Sequence, residues 1–168
     1  DNETRNNDIS VAIGIENSTI LTGEGGDSIA VTASSFSNND SKAVAIRGST
    51  INTGAGNDYI SIYAQASNWD FDGGKSLAIG IDKSTILTGE GSDSLNISSE
   101  SNGSNTTAIA SRNSTINTGS GSDYVRLYAG TSSGRFDPAY GAVNSTINLG
   151  SGWDHLSVTA QAQGLGNI

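Results

Sequence analysis

The chain has 168 residues, of which 34% are hydrophobic and 22 are glycine, and it carries a formal net charge of −9. The acidic balance and the lack of a basic patch exclude a nucleic-acid partner, because phosphate binding requires clustered Lys and Arg. No apolar run is long enough to span a bilayer, and the lack of cysteine excludes disulfide and thiol chemistry. Because the chain opens on Asp1 and contains no methionine, we expect a mature product or an excised fragment.

The first elements are predicted to be short strands joined by polar corners. Residues 12–15 alternate small and branched side chains, residues 18–22 form a second strand, and residues 28–33 a third. A glycine-rich turn at 23–27 separates the second strand from the third, and residues 34–41 are predicted to form a polar return loop. No segment shows a helical period.

This unit recurs along the whole chain. Each copy opens on Ser-Thr-Ile, continues with one residue and then Thr or Leu, and closes on Gly-x-Gly-x-Asp. The copies begin at Ser18, Ser49, Ser84, Ser114 and Ser145, in steps of 31, 35, 30 and 31 residues. A repeat of that length with one turn signal per copy is typical of a solenoid.

We therefore predict a single all-β domain over residues 1–168. Its fold class is a parallel β-solenoid, right-handed, with five coils of three strands each and no capping helix. The coils are expected at residues 9–41, 42–74, 75–105, 106–137 and 138–168.

Alignment of the coils predicts an apolar core built from columns, in which neighbours lie about 4.8 Å apart. The first column is isoleucine in every coil: Ile20, Ile51, Ile86, Ile116 and Ile147. The second column follows the turn: Ile29, Ile60, Leu95, Val125 and Leu156. The third column lies two residues further on: Val31, Ile62, Ile97, Leu127 and Val158.

Two further columns concern contacts between coils and between copies. Residues two positions before Ser-Thr-Ile alternate in charge over four coils and should form ion pairs: Glu16, Arg47, Asp82 and Arg112. An alanine column could either pack tightly inside the solenoid or form a flat strip for lateral contact with another copy. Its members are Ala12, Ala43, Ala78, Ala108 and Ala139.

The Gly-x-Gly-x-Asp turns are the candidate functional element. Paired glycines permit positive φ, so that backbone carbonyls can converge, and aspartate adds the anionic oxygen that Ca²⁺ prefers. The candidate metal ligands are the aspartates Asp27, Asp58, Asp93, Asp123 and Asp154. The backbone of the paired glycines completes the set: Gly23, Gly25, Gly54, Gly56, Gly89, Gly91, Gly119, Gly121, Gly150 and Gly152.

Stacked turns would bring these carboxylates to about 5 Å from one another, where they repel unless a cation lies between them. Five turns leave four gaps, and four Ca²⁺ ions would bring the net charge from −9 to about −1. The alternative is a metal-free corner in which each aspartate accepts backbone N–H bonds, as in an Asx turn.

Each turn is followed by an apolar residue two positions after the aspartate, as at Ile29 after Asp27. The motif thereby resembles the calcium-binding nonapeptide of the RTX, or haemolysin-type, repeat family, as a long variant with one motif per repeat of about 31 residues. The resemblance implies Ca²⁺ between the turns of adjacent coils, aspartates bridging neighbouring ions, and folding driven by calcium outside the cell.

We therefore expect a non-enzymatic structural protein at the cell surface or outside the cell, held rigid by Ca²⁺. It would be a module of a self-assembling filament, a surface layer or an adhesin. Its expected partners are other copies of itself, end to end and also laterally. A glycan or a cell surface is a further expected partner.

Three alternatives to this function remain open. A glycan could bind to the Trp69 loop or to a tyrosine face made of Tyr59, Tyr63, Tyr124 and Tyr128. Ice could bind to a threonine column made of Thr19, Thr50, Thr85, Thr115 and Thr146, although no second threonine row accompanies it. Enzyme chemistry has the least support, because His155 is the only histidine and Asp70 and Asp72 are acids in a polar loop.

Overall fold

The computed structural model describes residues 9–69, 73–134 and 137–164, and every regular element in these ranges is a β-strand. Each coil contributes three strands. The first two coils contain β1 (Ile9–Glu16), β2 (Thr19–Leu21), β3 (Ser28–Ser37), β4 (Asp40–Arg47), β5 (Thr50–Asn52) and β6 (Tyr59–Asn68). The next two contain β7 (Ser76–Asp82), β8 (Thr85–Leu87), β9 (Ser94–Asn102), β10 (Thr106–Arg112), β11 (Thr115–Asn117) and β12 (Tyr124–Gly134). The last contains β13 (Ala139–Val143), β14 (Thr146–Asn148) and β15 (His155–Gly164).

Equivalent strands of successive coils pair in parallel and form three sheets of five strands. Their orders are β1-β4-β7-β10-β13, β2-β5-β8-β11-β14 and β3-β6-β9-β12-β15. The register brings equivalent repeat positions together, as in the pairing of Ile20 with Ile51 and of Ile51 with Ile86. The predicted parallel β-solenoid of five coils with three strands each is confirmed.

The core follows the predicted apolar columns. In the three middle coils the isoleucine column is completely buried at Ile51, Ile86 and Ile116. The two columns that follow the turn are buried there as well, at Ile60, Leu95, Val125, Ile62, Ile97 and Leu127. A continuous core therefore runs along the solenoid axis, renewed by each coil.

The alanine column packs inside the solenoid. Ala43, Ala78 and Ala108 are completely buried members of the main core cluster. Two residues on, Gly14 and Gly80 lie so close to the neighbouring coil that a Cβ would meet a backbone oxygen at 2.6 and 2.5 Å. The small side chains let strands approach closely, so this column offers no surface strip for lateral contact.

The expected charge pairs form across the first sheet. Arg47 bonds Glu16 through its Nε, at 2.9 Å, and through its Nη2. Arg112 forms a two-pronged pair with Asp82, at 2.9 and 2.7 Å. The second pair is more enclosed, since the Asp82 side chain is only 6% exposed.

The third strand of each coil is longer than predicted. The segment 34–41, predicted to be a return loop, contains the end of β3 and the start of β4. Residues at the end of β3 continue to alternate between inward and outward positions. The inward Ser35 is buried, and its hydroxyl donates to the Ser10 carbonyl at 2.9 Å. Hydrogen bonding by hydroxyls allows these polar residues to face inward.

The first and last described coils leave core positions uncovered. Leu156 and Val158, which continue buried columns, are 42% and 48% exposed in the last coil. At the other end, Ile20 and Ile29, which begin two of these columns, are only partly buried. The described part of the chain contains no helix of the length and hydropathy that a membrane crossing needs.

Candidate metal centre

Each candidate turn links the second strand of a coil to the third through two glycines with positive φ. In the third coil these are Gly89, at 95°, and Gly91, at 131°. Glycine is also required by the stacking, because a Cβ on Gly89 would lie 1.7 Å from the carbonyl oxygen of Gly54. The residue between the glycines pairs with its equivalents in the adjacent coils, so the turns stack directly upon one another.

The predicted aspartates form a column beneath these turns. In the middle coils Asp58, Asp93 and Asp123 are buried, at 3, 3 and 2% exposure. One carboxylate oxygen of each accepts a bond from the aspartate amide of the preceding coil. These Asp N to Asp Oδ1 distances are 2.8 Å for Asp27 to Asp58, 2.9 Å for Asp58 to Asp93, 2.9 Å for Asp93 to Asp123 and 3.0 Å for Asp123 to Asp154.

The second carboxylate oxygen is buried and has no partner in four of the five aspartates. It is buried without a hydrogen bond at Asp27, Asp58, Asp93 and Asp123. Burial raises the pKa of Asp93, and the negative charges of Asp123 and Asp58 act in the same direction. The hydrogen bond from the Asp58 amide opposes this rise. The column therefore concentrates negative charge in a place that water does not reach.

The carbonyls of the turn take part in bonds between coils. The Gly54 carbonyl accepts the Glu90 amide at 3.1 Å, and the Glu90 carbonyl accepts the Gly56 amide at 2.7 Å. The same two bonds recur at the other coil junctions. Of the predicted ligands, the unpartnered Oδ2 atoms therefore fit a cation best. Among the described residues, no group of three or more His, Cys, Asp or Glu side chains forms a ready-made metal cluster.

Two hydroxyl ladders flank the aspartate column, and the sequence reasoning did not identify them. Each Ser of Ser-Thr-Ile donates its hydroxyl to the carbonyl two residues earlier, and each one after Ser18 accepts an amide bond from the preceding coil. For Ser84 these bonds are 2.8 Å, to the Asp82 carbonyl, and 3.2 Å, from the Ser49 amide. Thr22, Thr53, Thr88 and Thr118 each donate a hydroxyl to the equivalent carbonyl of the next coil. The available signal was the recurrence of the serine in all five repeats and of the threonine in four of them, with Leu149 in the last.

The remaining sequence candidates are not members of the aspartate column. The threonine column is in register on the second sheet, from Thr19 to Thr146. His155 stacks on Tyr124, with ring centroids 5.2 Å apart and planes 4° from parallel. Trp69 is 69% exposed, whereas the predicted acids Asp70 and Asp72 lie outside the described residues.

The tyrosine face is split by its neighbours on the third sheet. Tyr59 and Tyr124 are 49% and 43% exposed, and Ser94 lies between them in register. Tyr63 donates its hydroxyl to Glu100 at 3.0 Å. Burial of Tyr63 and, to a lesser extent, the Glu100 carboxylate raise the pKa of Tyr63 to about 12. The four tyrosines therefore do not form one continuous aromatic surface.

Comparison of the chain with family models, with curated proteins and with solved structures finds no match. The chemistry of the centre is therefore judged from its own residues.

Proposed function

We propose that this protein is a non-enzymatic structural solenoid of the extracellular space or cell surface, and that its aspartate column binds Ca²⁺. The observation that carries the proposal is the row of buried, unpartnered Oδ2 atoms at Asp27, Asp58, Asp93 and Asp123. A buried carboxylate without a full set of partners is costly unless a proton or a cation neutralises it.

Calcium suits the column because it is a hard cation that takes oxygen ligands from carboxylates and backbone carbonyls. The aspartates would hold it, and the bound ion would supply positive charge to the column. Weak sites of this kind, with Kd values of about 10⁻⁴–10⁻³ M, fill at the calcium levels found outside cells. The direct bonds between turns, such as Gly54 with Glu90, hold the coils together independently of the ion. Calcium is therefore expected to add stability to a stack that is already hydrogen-bonded.

Thermal unfolding followed by circular dichroism, with calcium chloride or with a chelator, tests the proposal. We expect a higher Tm with calcium, since a ligand at 100 times its Kd stabilises the folded state by about 2.7 kcal/mol. Asp93→Asn keeps an acceptor for the Asp58 amide and should reduce the calcium-dependent shift. Glu90→Gln is the matched control, because it removes one charge from an exposed position of the same turn. An equal Tm with calcium and with chelator contradicts calcium binding.

We also propose that the solenoid assembles end to end. Along the stack, the serine and aspartate amides of one coil donate to the Ser Oγ and Asp Oδ1 atoms of the next. In the last coil, the amides of Ser145 and Asp154 occupy these donor positions. In the first coil, Ser18 Oγ and Asp27 Oδ1 occupy the acceptor positions. A second copy placed on the last coil would continue both ladders and cover Leu156 and Val158. Repetition of such a head-to-tail contact gives a filament.

A further inference from the structure

The outer face of the third sheet contains a cleft where one side chain is missing. One outward column of this sheet consists of Ser34, Gln65, Glu100, Gly130 and Gln161. Gly130 is paired in register with Glu100 on one side and with Gln161 on the other. The glycine leaves a cleft of about 190 Å³, and Asn102, Thr131 and Gln163 complete its lining with Tyr128 and Ser132.

Tyr128 forms one wall of this cleft because its neighbour is glycine. A Cβ on Gly130 would lie 2.6 Å from the Tyr128 hydroxyl and 3.0 Å from its ring. The Tyr128 hydroxyl reaches Gln161 at 3.4 Å, and the Arg126 guanidinium lies 5.3 Å from the ring centroid. Gly130 therefore both opens the cleft and lets the aromatic ring lie along it.

The other walls present planar polar groups. Glu100 accepts a bond from Tyr63 at 3.0 Å, which leaves most of the acceptor capacity of a carboxylate. Primary amides combine two donor hydrogens with a carbonyl acceptor, and Gln161 and Gln163 present two of them. The Asn102 amide already bonds Ser67 and Ser132. Adjacent hydroxyls on a ligand can both donate and accept, so they match this mixture of amides and one carboxylate.

The chemistry of the lining selects the class of ligand. An anion is disfavoured by the Glu100 carboxylate and by the net charge of −9. The volume is below the roughly 300–1,000 Å³ of sites for drug-sized ligands, which indicates one small ring. An aromatic wall beside convergent hydrogen-bonding groups suits a ring with an apolar face and polar edges. We propose that the Gly130 cleft binds a neutral sugar unit of a glycan.

Titration of the ¹⁵N-labelled protein with the methyl glycosides of glucose, galactose and mannose tests this proposal. We expect saturable amide shifts at Glu100, Gly130 and Gln161 with at least one of the three sugars. Gly130→Val fills the cleft at an outward strand position and should weaken binding at least about tenfold. Gln161→Ala, on an exposed part of β15, should weaken it as well.

Ser34→Val is the matched control, because it places the same side chain in the same column three coils away. It should leave the titration unchanged. The proposal is overturned if none of the three sugars produces a saturable shift. It is also overturned if the shifts map elsewhere on the protein or survive in Gly130→Val. Neither the calcium proposal nor end-to-end assembly depends on this outcome.

Discussion

At the scale of single residues, glycine meets two separate demands in the turns. Gly23 and Gly89 occupy the same repeat position, with φ of 106° and 95°. A Cβ on Gly89 would collide with the Gly54 carbonyl oxygen, at 1.7 Å, whereas a Cβ on Gly23 would meet nothing within 4 Å. Backbone strain is therefore common to both positions, but close contact with a preceding coil affects only Gly89.

We predict that Gly89→Ala destabilises the protein much more than Gly23→Ala. For Gly23→Ala the expected cost is about 1–2 kcal/mol, the penalty of a left-handed backbone for a residue with a Cβ. Gly89→Ala adds the collision with backbone and should cost over about 3 kcal/mol or prevent folding. Urea denaturation of the two variants measures the difference, and equal costs would contradict the direct stacking of the turns.

At the scale of strands and coils, lateral ion pairs add to the ladders that join one coil to the next. The two Arg pairs occupy equivalent positions of the first sheet but differ in burial. The Arg112 and Asp82 side chains are 31% and 6% exposed, whereas those of Arg47 and Glu16 are 33% and 40% exposed. The hydrogen bond from Arg112 lowers the pKa of Asp82, although burial opposes the shift.

We predict that Arg112→Gln costs about 1.5–3 kcal/mol near neutral pH, because it leaves the Asp82 carboxylate buried without its charged partner. Arg47→Gln, the same change at an exposed pair, should cost about 0.2–1 kcal/mol. Because the pKa of Asp82 is lowered, its contribution is complete above the ordinary value of about 3.9 and is lost as pH falls through the lowered value. Urea denaturation from neutral to acidic pH measures both effects. A cost of Arg112→Gln that does not diminish in acid would contradict this assignment.

At the scale of the whole molecule, the two ends differ from the middle because each lacks a neighbouring coil among the described residues. Apolar positions that are completely buried at Leu95 and Ile97 become exposed at Leu156 and Val158. Unpaired strand edges with exposed core residues favour pairing with another chain. The same geometry that makes the middle coils stable is therefore the basis of the proposed end-to-end assembly.

We predict that the purified protein forms elongated assemblies, and that Val158→Lys shortens or abolishes them by placing a charge in the contact. Trp69→Lys is the matched control, since it changes an exposed apolar residue of the second coil, away from both ends. Negative-stain electron microscopy and light scattering measure the assembly. Persistent monomers of the unmodified protein would contradict end-to-end assembly. Equal loss of assembly in both variants would place the contact elsewhere.

The repeat by itself was sufficient to predict the solenoid, its coil number and its apolar columns. A column such as Ile51, Ile86 and Ile116 follows directly once the repeats are aligned, because parallel stacking brings equivalent positions together. The turn glycines and the Arg pairs were predictable for the same reason.

Only the tertiary structure decided which way the polar residues point and what they bond. Ser35 and Ser84 are as polar as any loop residue, yet both are buried and hydrogen-bonded. One oxygen of the Asp93 carboxylate is hydrogen-bonded, and the other has no partner. The Gly130 cleft exists because strands from three coils meet there. The sequence gives the polarity of each residue separately, whereas hydrogen-bond partners and clefts depend on atoms that lie about thirty residues apart in the chain.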